Sequence, residues 1–167
     1  NKTHAADLCQ SFYTMCRAGL AEKCNLDKWD MLAYITAGAC HDVEHPGFNN
    51  VYLTEVGDQL AIRYNDQSVL ESHHVAKSFE VLKDSEYNFT MTFQKSEYKR
   101  FRKTMVSAIL ATDMANHFTK LGALKSALSS EGFDATEEKN KMQCCEWMFH
   151  LADISNPAKP FAVCRQW

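Results

Sequence analysis

The chain has 167 residues, 46% hydrophobic and 11% aromatic, enough for one domain with its own core. Eighteen basic residues against 21 acidic ones give a net charge of −3, which argues against a nucleic-acid partner or an anionic membrane surface. No apolar run reaches the roughly eighteen residues of a membrane span, and the polar opening Asn1-Lys2-Thr3-His4 does not read as a signal peptide. Seven cysteines (Cys9, Cys16, Cys24, Cys40, Cys144, Cys145, Cys164) form no C-x-x-C pair, so neither a zinc knuckle nor a local redox motif is indicated. They fit reduced thiols in a cytoplasmic protein, where the sequon Asn88-Phe89-Thr90 is chance.

Few glycines and prolines favour long helices. Ala5, Leu8, Phe12 and Met15 predict a helix over residues 4–18, closed by Gly19. A second helix opens at Leu26-Asp27-Lys28-Trp29 and carries Met31, Leu32, Ile35 and Ala39 into His41-Asp42. Residues 50–64 predict one or two short helices, and residues 68–82 another, with Ser68 and Glu71 at capping-box spacing. Residues 89–93 alternate like a strand but are short and alone, so a loop is expected. The longest helix is predicted from Ser96 to about Ser129, a linker over residues 132–136, and a last helix from Glu137 to Asp153.

The ligand-rich stretch is Cys40-His41-Asp42-Val43-Glu44-His45-Pro46-Gly47. An imidazole beside a hard oxygen donor suits Zn²⁺ on one side and Mg²⁺ or Mn²⁺ on the other. His45 follows His41 by one helical turn, and Pro46-Gly47 then breaks the helix. His4 alone means little. Asp153 ends an otherwise apolar helix, where a carboxylate is costly unless a cation or metal meets it. Glu71 with His74, and Thr112-Asp113 after an apolar run, fit groups that orient metal waters. For Glu71 and Asp113 a site role is favoured over surface polarity; for His73, His117 and His150 surface polarity is favoured.

His4, His41-Asp42 and Asp153 on three helices resemble the HD superfamily of metal-dependent phosphohydrolases. Closer still, His41-Asp42-x-x-His45-x-Gly47-x-x-Asn50 matches the signature of class I cyclic nucleotide phosphodiesterases. Four further blocks are similar in order: Asn1-x-x-His4-Ala5-x-Asp7, residues 64–74, residues 111–114 and residues 152–157. The resemblance implies an all-α multi-helix bundle of the phosphodiesterase/HD type. Its implied activity is metal-dependent hydrolysis of a 3′,5′-cyclic nucleotide to the 5′-monophosphate. By position, His4, His41, Asp42 and Asp153 match the Zn²⁺ ligands, with Asp42 bridging to Mg²⁺ or Mn²⁺ in a two-metal site. His45, Glu71, His74 and Thr112 match residues that hold the second ion's waters. His45, Glu71, His74 and Asp113 are the implied catalytic positions, and Asn156, Met114 and Ile154 the implied base contacts.

Two departures matter. The family's proton-donating His falls before Asn1, and its purine-binding Gln and aromatic clamp fall beyond Trp167. Residues 1–167 are therefore expected to be the incomplete, central part of one catalytic domain, with any regulatory domains outside it. Asn at position 156 leans toward cAMP over cGMP, since its amide offers both a donor and an acceptor. The alternatives are another HD-type nucleotide phosphohydrolase, or a non-catalytic helical metal-binding module.

Overall fold

The expected helices are present in the computed structural model, which describes residues 1–166. Among the described residues there is no strand. The α-helices run α1 Lys2–Met15, α2 Ala21–Lys23, α3 Lys28–Cys40, α4 Asn50–Glu55, α5 Gln59–Tyr64, α6 Val69–Val81, α7 Lys95–Leu110, α8 His117–Leu128, α9 Glu138–Asp153 and α10 Phe161–Cys164. None is long and apolar enough to cross a membrane.

Helix starts follow from side chains that meet otherwise unpaired backbone N–H groups. The Asn1 carboxamide oxygen accepts from the N–H groups of Thr3 and His4, fixing the turn that carries His4. Asp27 and Asp30 form a capping box at α3. Asp30 lies buried, where Arg100 Nη2 at 2.7 Å and Lys141 Nζ at 2.5 Å meet its carboxylate.

The main core lies where α3 packs between α1 and α7 and α1 also meets α9. Leu8 and Phe12 interleave with Ala33, Tyr34 and Ala37, with Phe101 and Met105, and with Phe149 and Ala152. A Cβ at Gly38 would stand 2.8 Å from Cys9 Sγ and 2.9 Å from Leu8 Cδ2, so any larger residue there would force those side chains to shift where α1 meets α3. A smaller cluster of Leu53, Ala61, Val69 and Leu70 seats α4–α6. Phe118, Phe161 and Ile62 remain largely exposed.

Four expectations change. The helix predicted over 96–129 is interrupted at residues 111–116, because Asp113 turns its carboxylate back onto the Ala115 N–H and starts a 3₁₀ turn, Met114–Asn116. Ser68 does not cap α6: it has a φ of 42°, and its hydroxyl donates to Asp113 instead. Residues 89–92 form a 3₁₀ turn, whose Phe89 ring meets Phe93 and Phe101 edge-on. The chain past Asp153 continues through a 3₁₀ turn, Asn156–Ala158, into α10.

Phe149 is fully buried against Phe12, with ring centroids 5.5 Å apart. Phe149→Ala in the full-length protein is expected to cost about 3–5 kcal/mol, read as a lowered urea midpoint at unchanged slope.

Candidate metal centre and adjoining cavity

Three chain segments deliver four donors to one point. His4 comes from the first turn of α1, His41 from the residue that caps the C-terminus of α3, and Asp153 from the last residue of α9. Asp42 follows in the turn. His4 Nε2 lies 2.9 Å from Asp153 Oδ1 and 3.0 Å from His41 Nε2, and His41 Nε2 lies 3.2 Å from Asp153 Oδ1. Asp42 Oδ2 stands 3.5 Å from both imidazole nitrogens. Bonds of ~2.0–2.1 Å to one tetrahedral ion would separate neighbouring donors by about 3.3–3.4 Å, close to the spacing among His4, His41 and Asp42, with Asp153 approaching the two imidazoles.

Backbone carbonyls set the imidazole tautomers. His41 Nδ1 donates to Gly38 O at 2.9 Å, and His74 Nδ1 donates to Val43 O at 2.7 Å. Each ring therefore turns an unprotonated Nε2 inward in its neutral form. Burial lowers the His74 pKa to about 4, against the opposing pull of Val43 O, so His74 is neutral at pH 7. Burial raises the Asp153 pKa, but hydrogen bonds from His4 and from the protonated form of His41 outweigh it and hold the carboxyl well below the usual range. His41 moves the other way: burial lowers its pKa, and the Asp153 and Asp42 carboxylates raise it by more.

The second group shares Asp42. Asp42, His45 and His74 offer ligand atoms all within 4.8 Å of one another. Asp42 turns Oδ2 to the first cluster and Oδ1 toward His74 Nε2, at 3.9 Å. His45 is not on the helix face expected for it. The helix has ended, Glu44 adopts a φ of 60°, and Gly47 has a φ of 85°. The Gly47 N–H donates to His45 Nδ1, and the ring stacks on His74 at 5.7 Å. Strained φ values in non-glycine residues cluster at functional turns.

Beside this group lies a cavity of about 710 Å³, whose lining includes His45, Asn50, Glu71, Thr112, Asp113 and Met114. Burial raises the Glu71 pKa, against the hydrogen bond from Asn50 Nδ2 at 2.9 Å. The other end of Asn50 accepts from the Leu70 N–H, so one side chain ties the cavity wall to the start of α6. Thr112 lines the cavity, and its hydroxyl donates to Ile109 O. Asp113 lines the cavity, but its oxygens accept from Ser68 and the Ala115 N–H and so organise the turn. Met114 lines the cavity as well; Ile154 and Asn156 are not part of that lining. Asn156 Oδ1 accepts from the Cys164 thiol, and Asn156 Nδ2 is buried with no partner among the described residues.

The family model for 3′,5′-cyclic nucleotide phosphodiesterases matches residues 1–167. The chain belongs to that family. It is 39% identical over 173 residues to a protein from Caenorhabditis elegans named probable 3′,5′-cyclic-AMP phosphodiesterase pde-4, covering all of this chain and 26% of that protein. It is 35% identical to the 3′,5′-cyclic-nucleotide phosphodiesterase regA of Dictyostelium discoideum, covering 21% of it. The crystal structure of the phosphodiesterase domain of Salpingoeca rosetta rhodopsin phosphodiesterase superposes with a TM-score of 0.93 at 32% identity. That match covers all of this chain and 51% of the solved one. The chain thus spans about a quarter of the curated relatives and half of a solved phosphodiesterase domain.

The sequence reading left two features out. Asn50 sat in the matched signature without a role, although a carboxamide four residues past a Pro-Gly break was the available signal. His117 and His150, expected on helix surfaces, instead pair: His117 Nδ1 and His150 Nε2 lie 2.8 Å apart and His150 is fully buried. The reason is that α8 restarts at His117 and packs against α9.

Because Asp42 stands in both donor groups, its loss and that of His74 should differ. Asp42→Ala is expected to abolish retention of divalent metal by full-length protein, and His74→Ala to lower it only in part. Metal analysis after gel filtration reads this. Chelation should lower the melting temperature of the wild type more than that of Asp42→Ala.

Proposed function

We propose that this chain is the metal-bearing part of one phosphodiesterase catalytic domain, and that the whole protein hydrolyses a 3′,5′-cyclic nucleotide, with cAMP favoured over cGMP, to the 5′-monophosphate. The observation that carries the reading is the pair of donor groups joined through Asp42 at the mouth of a cavity. His4, His41, Asp42 and Asp153 would hold Zn²⁺, and Asp42 would share a second ion, Mg²⁺ or Mn²⁺. When bound, the ions supply charge neutralisation for a phosphodiester and acidify a water.

The chain's own residues do the rest. His45 carries its ring proton on Nε2, since Nδ1 accepts from Gly47, and so donates toward the second ion's waters or a phosphate oxygen. Glu71, held by Asn50, and Thr112 offer acceptors to the same waters. His74, neutral and fixed by Val43 O, completes that set. Met114 supplies apolar surface for the base. Asp113 supports this wall by holding its turn, rather than by meeting the substrate. Asn156 and Ile154 remain the proposed base contacts. A buried amide nitrogen without a partner costs about 1–3 kcal/mol, and a purine acceptor would recover that. The preference for cAMP rests on this amide and on the named activity of the nematode relative. The rest of the domain would cover Phe118 and Phe161.

The test is full-length protein assayed on cAMP and cGMP with Zn²⁺ and Mg²⁺. Turnover should vanish with chelator, return on adding both ions, and fall by at least about 10²-fold in Asp42→Asn. Asn156→Ala should lower kcat/KM for cAMP by about tenfold or more. Metal retention without cyclic nucleotide turnover, or turnover of nucleoside triphosphates instead, would overturn the reading.

A further inference from the structure

Away from the metal centre, the helix-rich core gathers thiols from three segments. Cys16 opens the π-helical turn after α1, Cys24 caps the C-terminus of α2, and Cys144 and Cys145 lie mid-way along α9. Cys24 and Cys145 are 1% and 0% exposed. Cys24 and Cys144 also share the wall of a cavity of about 210 Å³, otherwise apolar where Leu124, Leu128, Trp147 and Met148 line it. A water occupies about 30 Å³ of liquid, so the cavity admits a molecule the size of hydrogen peroxide beside both residues. We propose that Cys24 and Cys144 form an oxidisable dithiol, a modification site at which a small hydroperoxide closes a disulfide between α2 and α9.

The roles divide by environment. The Cys24 thiol has its pKa lowered to about 7 by its hydrogen bond with the Cys145 thiol, against the opposing effect of burial, with help from Cys144 and the charge of Lys141. Burial raises the Cys144 pKa to about 11. Cys24 is therefore the nucleophile, since the thiolate attacks. Its sulfur displaces on the terminal peroxide oxygen. The S–O bond forms, the O–O bond breaks, and the alkoxide or hydroxide released takes a proton and leaves as alcohol or water. Cys24 is now the sulfenic acid. Cys144 sulfur attacks the Cys24 sulfur, the S–S bond forms, the S–O bond breaks, and hydroxide leaves with the Cys144 proton as water. Two thiols are oxidised by two electrons, and one hydroperoxide is reduced.

Cys144 is favoured over Cys145 as the partner because it lines the cavity together with Cys24, and the water released can depart there. Cys145 is sealed in the core with Tyr34 and Phe149. Cys16 is not among the cavity-lining residues.

Full-length, folded protein is treated with hydrogen peroxide, quenched with an alkylating agent, digested with trypsin and analysed by mass spectrometry. Cys24 falls in the peptide of residues 24–28. Cys144 falls in that of residues 142–165, because Lys159 precedes Pro160 and resists cleavage. The expected product is these two peptides joined at two hydrogens below their summed mass, with fragmentation between positions 144 and 145 placing the bond at Cys144. Dithiothreitol should restore both free peptides. Cys144→Ser should abolish the joined product and leave a trapped Cys24 sulfenic acid, labelled by dimedone, whereas Cys145→Ser should still yield it. Peptides that stay separate in oxidised wild-type protein, or a Cys24 bond mapped to Cys145, Cys16 or Cys164, would overturn the assignment. The wild-type map decides the matter even where a serine variant fails to fold.

Discussion

The Asp153 carboxylate sets the terms for the rest of this fold. It stands at the end of a helix that buries Cys145, Trp147, Phe149, His150 and Ala152, in a place where an isolated charge would be driven to protonate. It stays ionised because His4 and His41 reach the same oxygen at 2.9 and 3.2 Å. Those two imidazoles come from opposite ends of the chain's first forty residues, so the ends of α1, α3 and α9 must meet. The aromatic contact of Phe12 with Phe149, and the Gly38 contact between α1 and α3, hold the helices at the separation that this meeting requires.

Helix ends carry the chemistry here, and the reason is geometric. A helix interior fixes each side chain's direction by the 3.6-residue period, whereas a capping position or turn leaves the backbone free to aim it. His4 lies just inside a start, His41 just past an end, Asp153 at an end, and Thr112 and Asp113 in the break between α7 and α8. Left-handed φ values at Glu44, Asn65, Asp66 and Ser68 lie in the turns that lead into His45 and into α6. Such conformations cost about 1–3 kcal/mol each for ordinary residues, and the bonds of Ser68 to Asp113 and of His73 to Glu44 are what oppose that cost.

Sequence patterning carried the helices of the core and singled out the four residues whose side chains meet in the first cluster, because both leave short-range marks. Apolar period gives the helices; a His-Asp dipeptide before Pro-Gly, and a carboxylate ending an apolar helix, give the donors. The misreadings share one cause. The run from Ser96 to Ser129 has unbroken helical character; Asp113 breaks it by turning back onto the Ala115 N–H, and Ser68, forty-five residues before it, holds the same carboxylate. The Ser68–Glu71 spacing looks like a capping box, but Asn50 supplies the acceptor at Leu70 from another segment. His150 looks like surface polarity until α8 turns back to place His117 against it. Each involves a long-range partner, and local pattern holds no trace of that partner. Asn156 shows the reverse: the matched block assigns it to the base, yet here its amide oxygen accepts from Cys164 and it does not line the cavity.

Asp42 joins the two donor groups from the turn that follows α3. The helix ends at Cys40, and His41 remains in helical φ/ψ with its ring tied to Gly38 O. The turn from His41 to Glu44 swings Asp42 until one oxygen faces the buried His4–His41–Asp153 side and the other faces His74. The left-handed Glu44 then reverses the chain so that His45 stacks on His74. Glu44 is itself held at that angle by His73 and Lys77 on α6, the helix that also supplies His74 and Glu71. The ion pair with Lys77 and the contact with His73 are solvent-exposed and weak singly. What they fix is the approach of α6 to the turn, and through it the distance between the buried donor group and the one that opens on the cavity.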